Sequence, residues 1–229
     1  MKIFGLQKMT LLDYPEHVAC TVFLGGCDFR CPFCHNYELA CNMAQPVMDV
    51  EELFAFLEKR KGLLDGVAIT GGEPCLQEEL PEMLSRIREM GYAVKLDTNG
   101  YHPEMLKRLF SEKLVAYAAM DIKNSPEKYA QTCGLRKVDL GRIKESIRVL
   151  LEEAPDCEFR TTVVEELHEA ADFEKIGQMI RGADRYFLQC FTDRDSVPYE
   201  GFHAPSAEAL ETYAAVVRRY VPDVRLRGV

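Results

Sequence analysis

An apolar run followed by a helical pattern recurs six times along this chain, and that alternation limits the possible fold more than any other feature. The strand-like runs occupy residues 18–24, 67–70, 93–96, 115–120, 159–164 and 186–191. After the first run, Val50, Leu53, Phe54 and Leu57 fall at i, i+3, i+4, i+7 spacing, the apolar stripe of a half-buried helix. After the second, Leu80, Met83, Leu84 and Ile87 repeat the pattern, and further stripes centre on Met105 to Phe110, Ile143 to Leu150, Phe173 to Ile180 and Leu210 to Val217. Local punctuation agrees. Asp49 with Glu52 three residues on is an Asp form of the capping box, Gly91 is a helix stop, and Pro103 suits a first helical turn. Strands alternating with helices favour a parallel sheet joined by right-handed crossovers. Six units fall short of a closed eight-unit barrel, so the expected fold is α/β, an open partial (β/α)6 barrel, with a doubly wound sheet as its competitor. No linker or low-complexity tract divides the chain, which reads as one domain over residues 1–229, with residues 1–17 as an N-terminal extension before the first barrel strand.

Charge and cysteine content narrow the function. A formal charge of -9 means net repulsion from nucleic acid, so a nucleic-acid partner is not expected. Nine cysteines, an odd number with three crowded into eight residues, do not form the pattern of a secreted disulfide scaffold. Reduced thiols imply a cytoplasmic protein. The N-terminal stretch carries Asp13, Pro15 and Glu16 and lacks a long apolar core, so neither a signal peptide nor a membrane partner is expected.

Either architecture binds ligands beyond the carboxyl ends of its strands, and the unusual residues fall there repeatedly. The first run leads into Cys27, Cys31 and Cys34, spaced C-x3-C-x2-C. Three thiolates in one short loop can hold a 4Fe-4S cluster, and because a cubane normally takes four ligands, one iron is left for a non-protein group. A structural zinc site, with Cys31 and Cys34 as one knuckle and Cys41 as a third ligand, is the alternative, but the sequence has no second knuckle. The second run ends in Gly71-Gly72-Glu73-Pro74, the third in Asp97-Thr98-Asn99-Gly100 and the fourth in Asp121-Ile122-Lys123. The fifth holds Arg160, which needs an anion if buried, and the sixth holds Gln189. Singly, Gly-Gly-Glu-Pro and Asn-Gly are ordinary turns and Asp121 with Lys123 is an ordinary surface ion pair. Together they describe a rim suited to a zwitterionic ligand, such as an amino acid able to chelate the open iron.

The cysteine spacing with Phe33 before the last thiol, followed by Gly71-Gly72-Glu73-Pro74, resembles the radical S-adenosylmethionine superfamily. Gly5 to Lys8, Asp13-Tyr14-Pro15 and Cys31-Pro32-Phe33-Cys34-His35-Asn36 resemble the longer form of the activating proteins of anaerobic ribonucleoside-triphosphate reductase. The Asp97 to Gly100 and Met120 to Lys123 segments are similar to pyruvate formate-lyase activases. The resemblance implies one 4Fe-4S cluster on Cys27, Cys31 and Cys34, with S-adenosylmethionine chelating its fourth iron. It further implies Phe33 beside the adenine, and Gly71, Gly72 and Glu73 at the methionine amine. Lys123 and Arg160 would meet the carboxylate or ribose, Asn99 and Gln189 would add cofactor contacts, and Asp97, Thr98 and Asp121 would hold a monovalent cation. The implied partners are a glycyl radical enzyme and a flavodoxin or ferredoxin reductant. One departure is that Phe191 stands where formate-lyase activases carry a cofactor-binding His after strand six. Two other readings stay open: a small-molecule radical enzyme of the 7-carboxy-7-deazaguanine synthase type, and a non-enzymatic iron-sulfur or zinc protein.

Overall fold

The structure is a computed structural model that describes residues 1–229. Its strands are β1 (Lys2–Ile3), β2 (Gly5–Thr10), β3 (Ala19–Leu24), β4 (Met48–Asp49), β5 (Gly66–Gly71), β6 (Ala93–Thr98), β7 (Tyr117–Asp121), β8 (Cys157–Val163), β9 (Arg185–Cys190) and β10 (Asp223–Arg227). The helices are α1 (Tyr37–Ala40), α2 (Val50–Glu58), α3 (Leu80–Glu89), α4 (Pro103–Ser111), α5 (Tyr129–Thr132), α6 (Leu140–Glu153), α7 (Ala170–Met179) and α8 (Ala207–Val217). Eight strands form one sheet in the order β10-β9-β8-β7-β6-β5-β3-β2, and β1 and β4 pair separately. From β3 through β10 every neighbour in this sheet is parallel, so chain order and spatial order coincide. The two end strands do not pair with each other, which leaves the barrel open.

Two features differ from the six-unit reading. A seventh parallel strand, β10, lies against β9; it is Asp-Val-Arg-Leu-Arg, whose alternating charges hide a strand from an apolar-run criterion. Residues within the N-terminal extension form β2, which pairs antiparallel with β3 and closes that edge. Its outer residues Gln7, Lys8 and Met9 are exposed, as an edge strand requires.

The strand interiors alternate in a way that serves the site. On β6, Val94 and Leu96 join the apolar core beneath the helices, while Lys95 and Asp97 face the opposite side. On β8, Phe159 and Val163 enter that core, whereas Glu158 and Arg160 make ion pairs on the inner face. The helices cover the outer surface, with α2 opened by the expected Asp49–Glu52 capping box and α4 by Pro103. A parallel sheet is usually apolar on both faces, so an ionic inner face marks a barrel built to hold polar ligands.

Leu96 is fully buried at the centre of β6. Leu96→Ala should cost about 2–5 kcal/mol by loss of packing and an unfilled cavity. A fall in thermal midpoint of roughly 4–20 °C for a chain of this size is the expected readout. Leu12→Ala, at a position 91% exposed, should change stability by no more than about 0.5 kcal/mol in the same denaturation assay.

Candidate active site

Cys27, Cys31 and Cys34 line one cavity beyond the carboxyl ends of the strands, together with Phe33, Gly71, Gly72, Asp97, Thr98, Asn99, Asp121, Lys123 and Arg160. Twelve of the fourteen residues expected at the site therefore converge. The loop that carries the thiols is stiffened by Arg30, whose guanidinium donates to the carbonyls of Cys27 (2.6 Å) and Phe29 (2.7 Å). The Cys27 sulfur accepts from the Phe29 N–H (3.4 Å) and the Asn99 amide (3.6 Å).

Burial pushes the Cys27 thiol up to about 12 and the Cys34 thiol to about 11, while a hydrogen bond with the Cys133 thiol draws Cys31 down. A metal that binds Cys27 and Cys34 must therefore displace their protons. No group of three or more His, Cys, Asp or Glu side chains is arranged to hold a single metal ion. Zinc needs all its ligands on one centre, whereas a cubane spreads three thiolates over separate iron atoms. Cys41 caps the end of α1 and is absent from the cavity lining. The donor set thus fits a cluster and not the zinc knuckle.

The two glycines are fixed by backbone contact. Gly72 N–H donates to Leu24 O (2.9 Å) and Glu73 N–H to Gly26 O (2.7 Å), so the turn after β5 lies directly on the start of the cysteine loop. A Cβ at Gly71 would come within 2.2 Å of Leu24 O, and one at Gly72 within 2.0 Å of Gly26 O. Gly71 also has φ +123°, outside the range open to other residues. The Asn36 amide then donates to Gly71 O (2.9 Å) and ties the two turns again.

Glu73 differs from expectation. Its carboxylate is fully buried and accepts from Cys75 N–H (2.9 Å), the Thr98 hydroxyl (2.8 Å) and Asn99 N–H (2.6 Å). Burial pushes the carboxyl up, against these donors. It is not among the residues that line the cavity, and its three accepted hydrogen bonds tie together the turns after β5 and β6. Gln189 is also displaced. It lines a second cavity, 460 Å³ against 160 Å³ for the first, with Lys95, Glu158 and Arg227. Gln189 is absent from the lining of the first cavity, although its register partner on β8, Thr162, belongs to it.

The charged residues form a network in place of the simple ion pair expected at Asp121 and Lys123. Arg160 reaches Asp121 (2.5 Å) and Asp97 (3.2 Å), Lys123 pairs with Asp121 (2.8 Å), and Lys95 with Asp97 (2.5 Å). Burial is the largest single influence and raises both carboxyls, but Arg160 together with Lys95 at Asp97 and Lys123 at Asp121 outweighs it, and both are held below the usual range. Three cations already neutralise the two carboxylates, and the Thr98 hydroxyl is bound to Glu73. Each oxygen of the two carboxylates already has a cationic partner, so a monovalent cation at Asp97, Thr98 and Asp121 would compete with Lys95, Lys123 and Arg160. The net positive charge suits a carboxylate instead.

Phe33 is buried and meets Phe191 edge-to-face, with ring centroids 6.4 Å apart. Phe191 follows β9, and the His35 ring stacks on it at 5.6 Å and 14°. His35 Nε2 donates to Thr192 O (2.7 Å). An imidazole from the cysteine loop thus lies against the residues that follow β9. His35, Asn36, Phe29 and Thr162 line the cavity but were not singled out as site residues in the sequence. Only the first two carried a signal, as part of the Cys34-His35-Asn36 motif.

A barrel open along one side, with three cysteines and a glycine pair at its mouth, defines a radical-type iron-sulfur enzyme. The model of the Radical SAM superfamily matches residues 21–179, and the chain belongs to that superfamily. The superfamily's 4Fe-4S cluster and S-adenosylmethionine are accordingly its cofactors, and it is an enzyme. It is 30% identical over 234 residues to a Methanocaldococcus jannaschii protein named provisionally as a glycyl-radical enzyme activating enzyme, with 99% of this chain and 96% of the relative aligned. A Thermococcus kodakarensis 7-carboxy-7-deazaguanine synthase is 28% identical over 82% of this chain and 68% of its own. In fold it is similar to a domain of pyruvate-formate lyase-activating enzyme from Bacteroides vulgatus, with a TM-score of 0.57 and 20% identity over 71% of this chain and 99% of that one.

After anaerobic reconstitution, Cys27→Ala, Cys31→Ala and Cys34→Ala should each lose the 4Fe-4S absorbance and bound iron, and Cys41→Ala should keep both. Stoichiometric zinc in place of iron would contradict the assignment. A second expectation concerns pH. Asp97 and Asp121 have depressed folded values, so their contribution to stability is present above the unfolded value of about 3.9 and is lost as pH falls through the folded values. Denaturant midpoints of the wild type should therefore drop on acidification below about pH 4. Asp97→Asn should show a lower midpoint at pH 7 and a shallower acid decline.

Proposed function

We propose that the chain is an activase that installs a glycyl radical on a partner enzyme. The observation that carries this reading is the full-length match to the Methanocaldococcus jannaschii activating-enzyme relative, aligned across 99% of this chain. The motifs at Gly5 to Lys8 and Cys31 to Asn36 support anaerobic ribonucleoside-triphosphate reductase as the partner, and a flavodoxin or ferredoxin as the electron source. Nine free cysteines and the absence of any helix long and apolar enough to cross a membrane accord with work in the reducing cytoplasm.

In this reading Cys27, Cys31 and Cys34 hold the cluster. When bound, the reduced cluster and S-adenosylmethionine together supply a 5'-deoxyadenosyl radical that takes a hydrogen atom from carbon. The protein supplies orientation and exclusion of water. Gly71 and Gly72 give the backbone surface for the methionine amine, and Glu73 holds that surface from behind. Lys123 and Arg160 retain positive charge after pairing and face the methionine carboxylate, while Phe33 offers a ring to the adenine. Asn99, whose amide already donates to the Cys27 sulfur, orients the cluster edge. A glycine Cα–H is a fitting target because no side chain blocks approach and flanking amides stabilise the radical left behind. The open side of the barrel gives its loop a way in.

The similarity to the deazaguanine synthase of Thermococcus kodakarensis over 82% of the chain favours a second reading, a radical enzyme acting on a small molecule. Reduced protein, S-adenosylmethionine and the host's anaerobic ribonucleotide reductase should give a glycyl-radical doublet in electron paramagnetic resonance. Reductase deuterated at glycine Cα should pass deuterium into 5'-deoxyadenosine. Turnover of 6-carboxytetrahydropterin without a doublet on any glycyl radical enzyme of the host would decide for the second reading.

A further inference from the structure

The surface over the cysteine loop has a charge opposite to that of the whole molecule. Within residues 136–144, Arg136, Lys137, Arg142 and Lys144 are all exposed, against the single carboxylate Asp139. None of the four is in a salt bridge, whereas the helix continues with Arg148 bound to Glu145 and Glu152. Asp139 is occupied in capping α6, where it accepts from the Gly141 N–H (2.9 Å). In a chain of net charge -9, four unpaired cations in nine residues form a distinct positive face.

That face is joined to the cysteine loop by direct contacts. Arg30 N–H, one residue before Cys31, donates to Cys133 O (2.8 Å). Gly134 packs so closely that a Cβ there would lie 2.0 Å from Arg30 O. The Arg142 guanidinium sits over the Tyr101 ring at 4.9 Å, and Tyr101 tilts against Phe29 at 5.3 Å. Phe29 lies between Cys27 and Cys31 and lines the cavity. Only one layer of side chains, Phe29 with Tyr101 and Cys133 beside it, separates the positive face from the thiols. The barrel mouth, where the cofactor and the hydrogen donor must enter, is a different opening lined by Lys123, Arg160 and the glycine turn.

We infer that this face, Arg136, Lys137, Arg142 and Lys144 on the approach to α6 and its first turn, is the docking surface for an acidic one-electron carrier protein that reduces the cluster. The inference rests on the reading that Cys27, Cys31 and Cys34 hold a reducible cluster. Electron transfer needs close approach, and the face gives it without obstructing the mouth. The chain as a whole, at -9, repels an acidic carrier, so a local patch of unpaired cations sets both orientation and encounter rate. One electron passes from the carrier to the cluster; no bond or proton moves between the two proteins.

The test compares the cluster-loaded wild type with Arg136→Glu/Lys137→Glu/Lys144→Glu and with a charge-matched control, Lys8→Glu/Lys59→Glu/Lys175→Glu, on β2, the end of α2 and α7. Arg142 is left in place because it packs on Tyr101. The probe is an acidic flavodoxin: its oxidised form for affinity by titration calorimetry, its hydroquinone for cluster reduction by stopped-flow absorbance. In the patch variant both affinity and reduction rate should fall roughly tenfold or more at low ionic strength. The difference should shrink in high salt, where the screening length is about 3 Å at 1 M. Photoreduction by 5-deazaflavin should be equal in all three proteins, and the control should behave as wild type with flavodoxin. Equal flavodoxin kinetics in patch variant and wild type, an equal loss in the control, or failure of deazaflavin to reduce the patch variant would each overturn the inference. So would a patch variant that keeps flavodoxin reduction but no longer binds the radical-accepting enzyme. Cluster reduction needs no glycyl radical enzyme, so the outcome stands apart from that of the doublet experiment.

Discussion

Arg160 lies between two carboxylates on neighbouring strands, 2.5 Å from Asp121 and 3.2 Å from Asp97, and the inside of the barrel is arranged around it. A guanidinium buried without partners would be too costly to keep, and two carboxylates side by side would repel; together with Lys95 and Lys123 each satisfies the others. The cost of burying these charges is met only if β6, β7 and β8 keep their register, because a slip of one residue would send every charge to the helix side. The observed register pairs Asp121 directly with Arg160 and Asp97 with Ala119. Asp97 and Arg160 line both cavities, with Asp121 and Lys123 on the first side and Lys95 on the second, so this ionic layer separates the two.

Above that floor, the mouth is held by backbone and by one glutamate. Glu73 contributes nothing to the cavity surface, yet its three acceptor contacts span the turns after β5 and β6. The glycines beside it let that turn lie on the turn after β3, closer than any Cβ would permit. Three successive rim turns are therefore one rigid unit before any ligand arrives. The benefit is pre-organisation: groups that must meet a ligand are already placed, and little ordering remains for binding to drive.

The features legible in the sequence were those with a local signature. Strand and helix order followed from apolar period, and the cysteine loop, glycine turn and acidic turns followed from their place after strands. What stayed hidden depends on long-range pairing. Glu73 and a ligand-binding glutamate are identical in sequence; only the positions of Thr98 and Asn99, 25 and 26 residues away, show that its oxygens are occupied. Gln189 lies near the end of β9 in the chain, but which cavity its side chain lines follows from how the strands stack in the barrel. The partners of the acidic residues are equally non-local. Asp97 and Asp121 looked free in the chain, and their partner Arg160 lies 39 residues beyond Asp121. β10 lacks an apolar run because Asp223, Arg225 and Arg227 alternate with its two apolar residues, and Arg227 finds its partner Glu158 two strands away.

The open side of the barrel is where these constraints stop. The unpaired ends of the sheet are β2 and β10, and β3 and β9, each one strand in from an end, share no ladder. Their following loops nevertheless touch: His35 donates to Thr192 O and stacks on Phe191, and Tyr37 meets Tyr199 edge-to-face at 6.3 Å. With the Phe33–Phe191 pair, the seam has three aromatic contacts and one hydrogen bond, each contributing about 1 kcal/mol, far less than a strand ladder. It holds His35 and Phe33 against Phe191 at the rim of the cavity. A closed eight-unit barrel has no equivalent, because its first and last strands are paired throughout. The same incompleteness that leaves the sheet with two edges therefore leaves this part of the rim to side chains, and the Cys34-His35-Asn36 motif, read from sequence only as a likeness, joins the cysteine loop to Thr192 on one side and to Gly71 on the other.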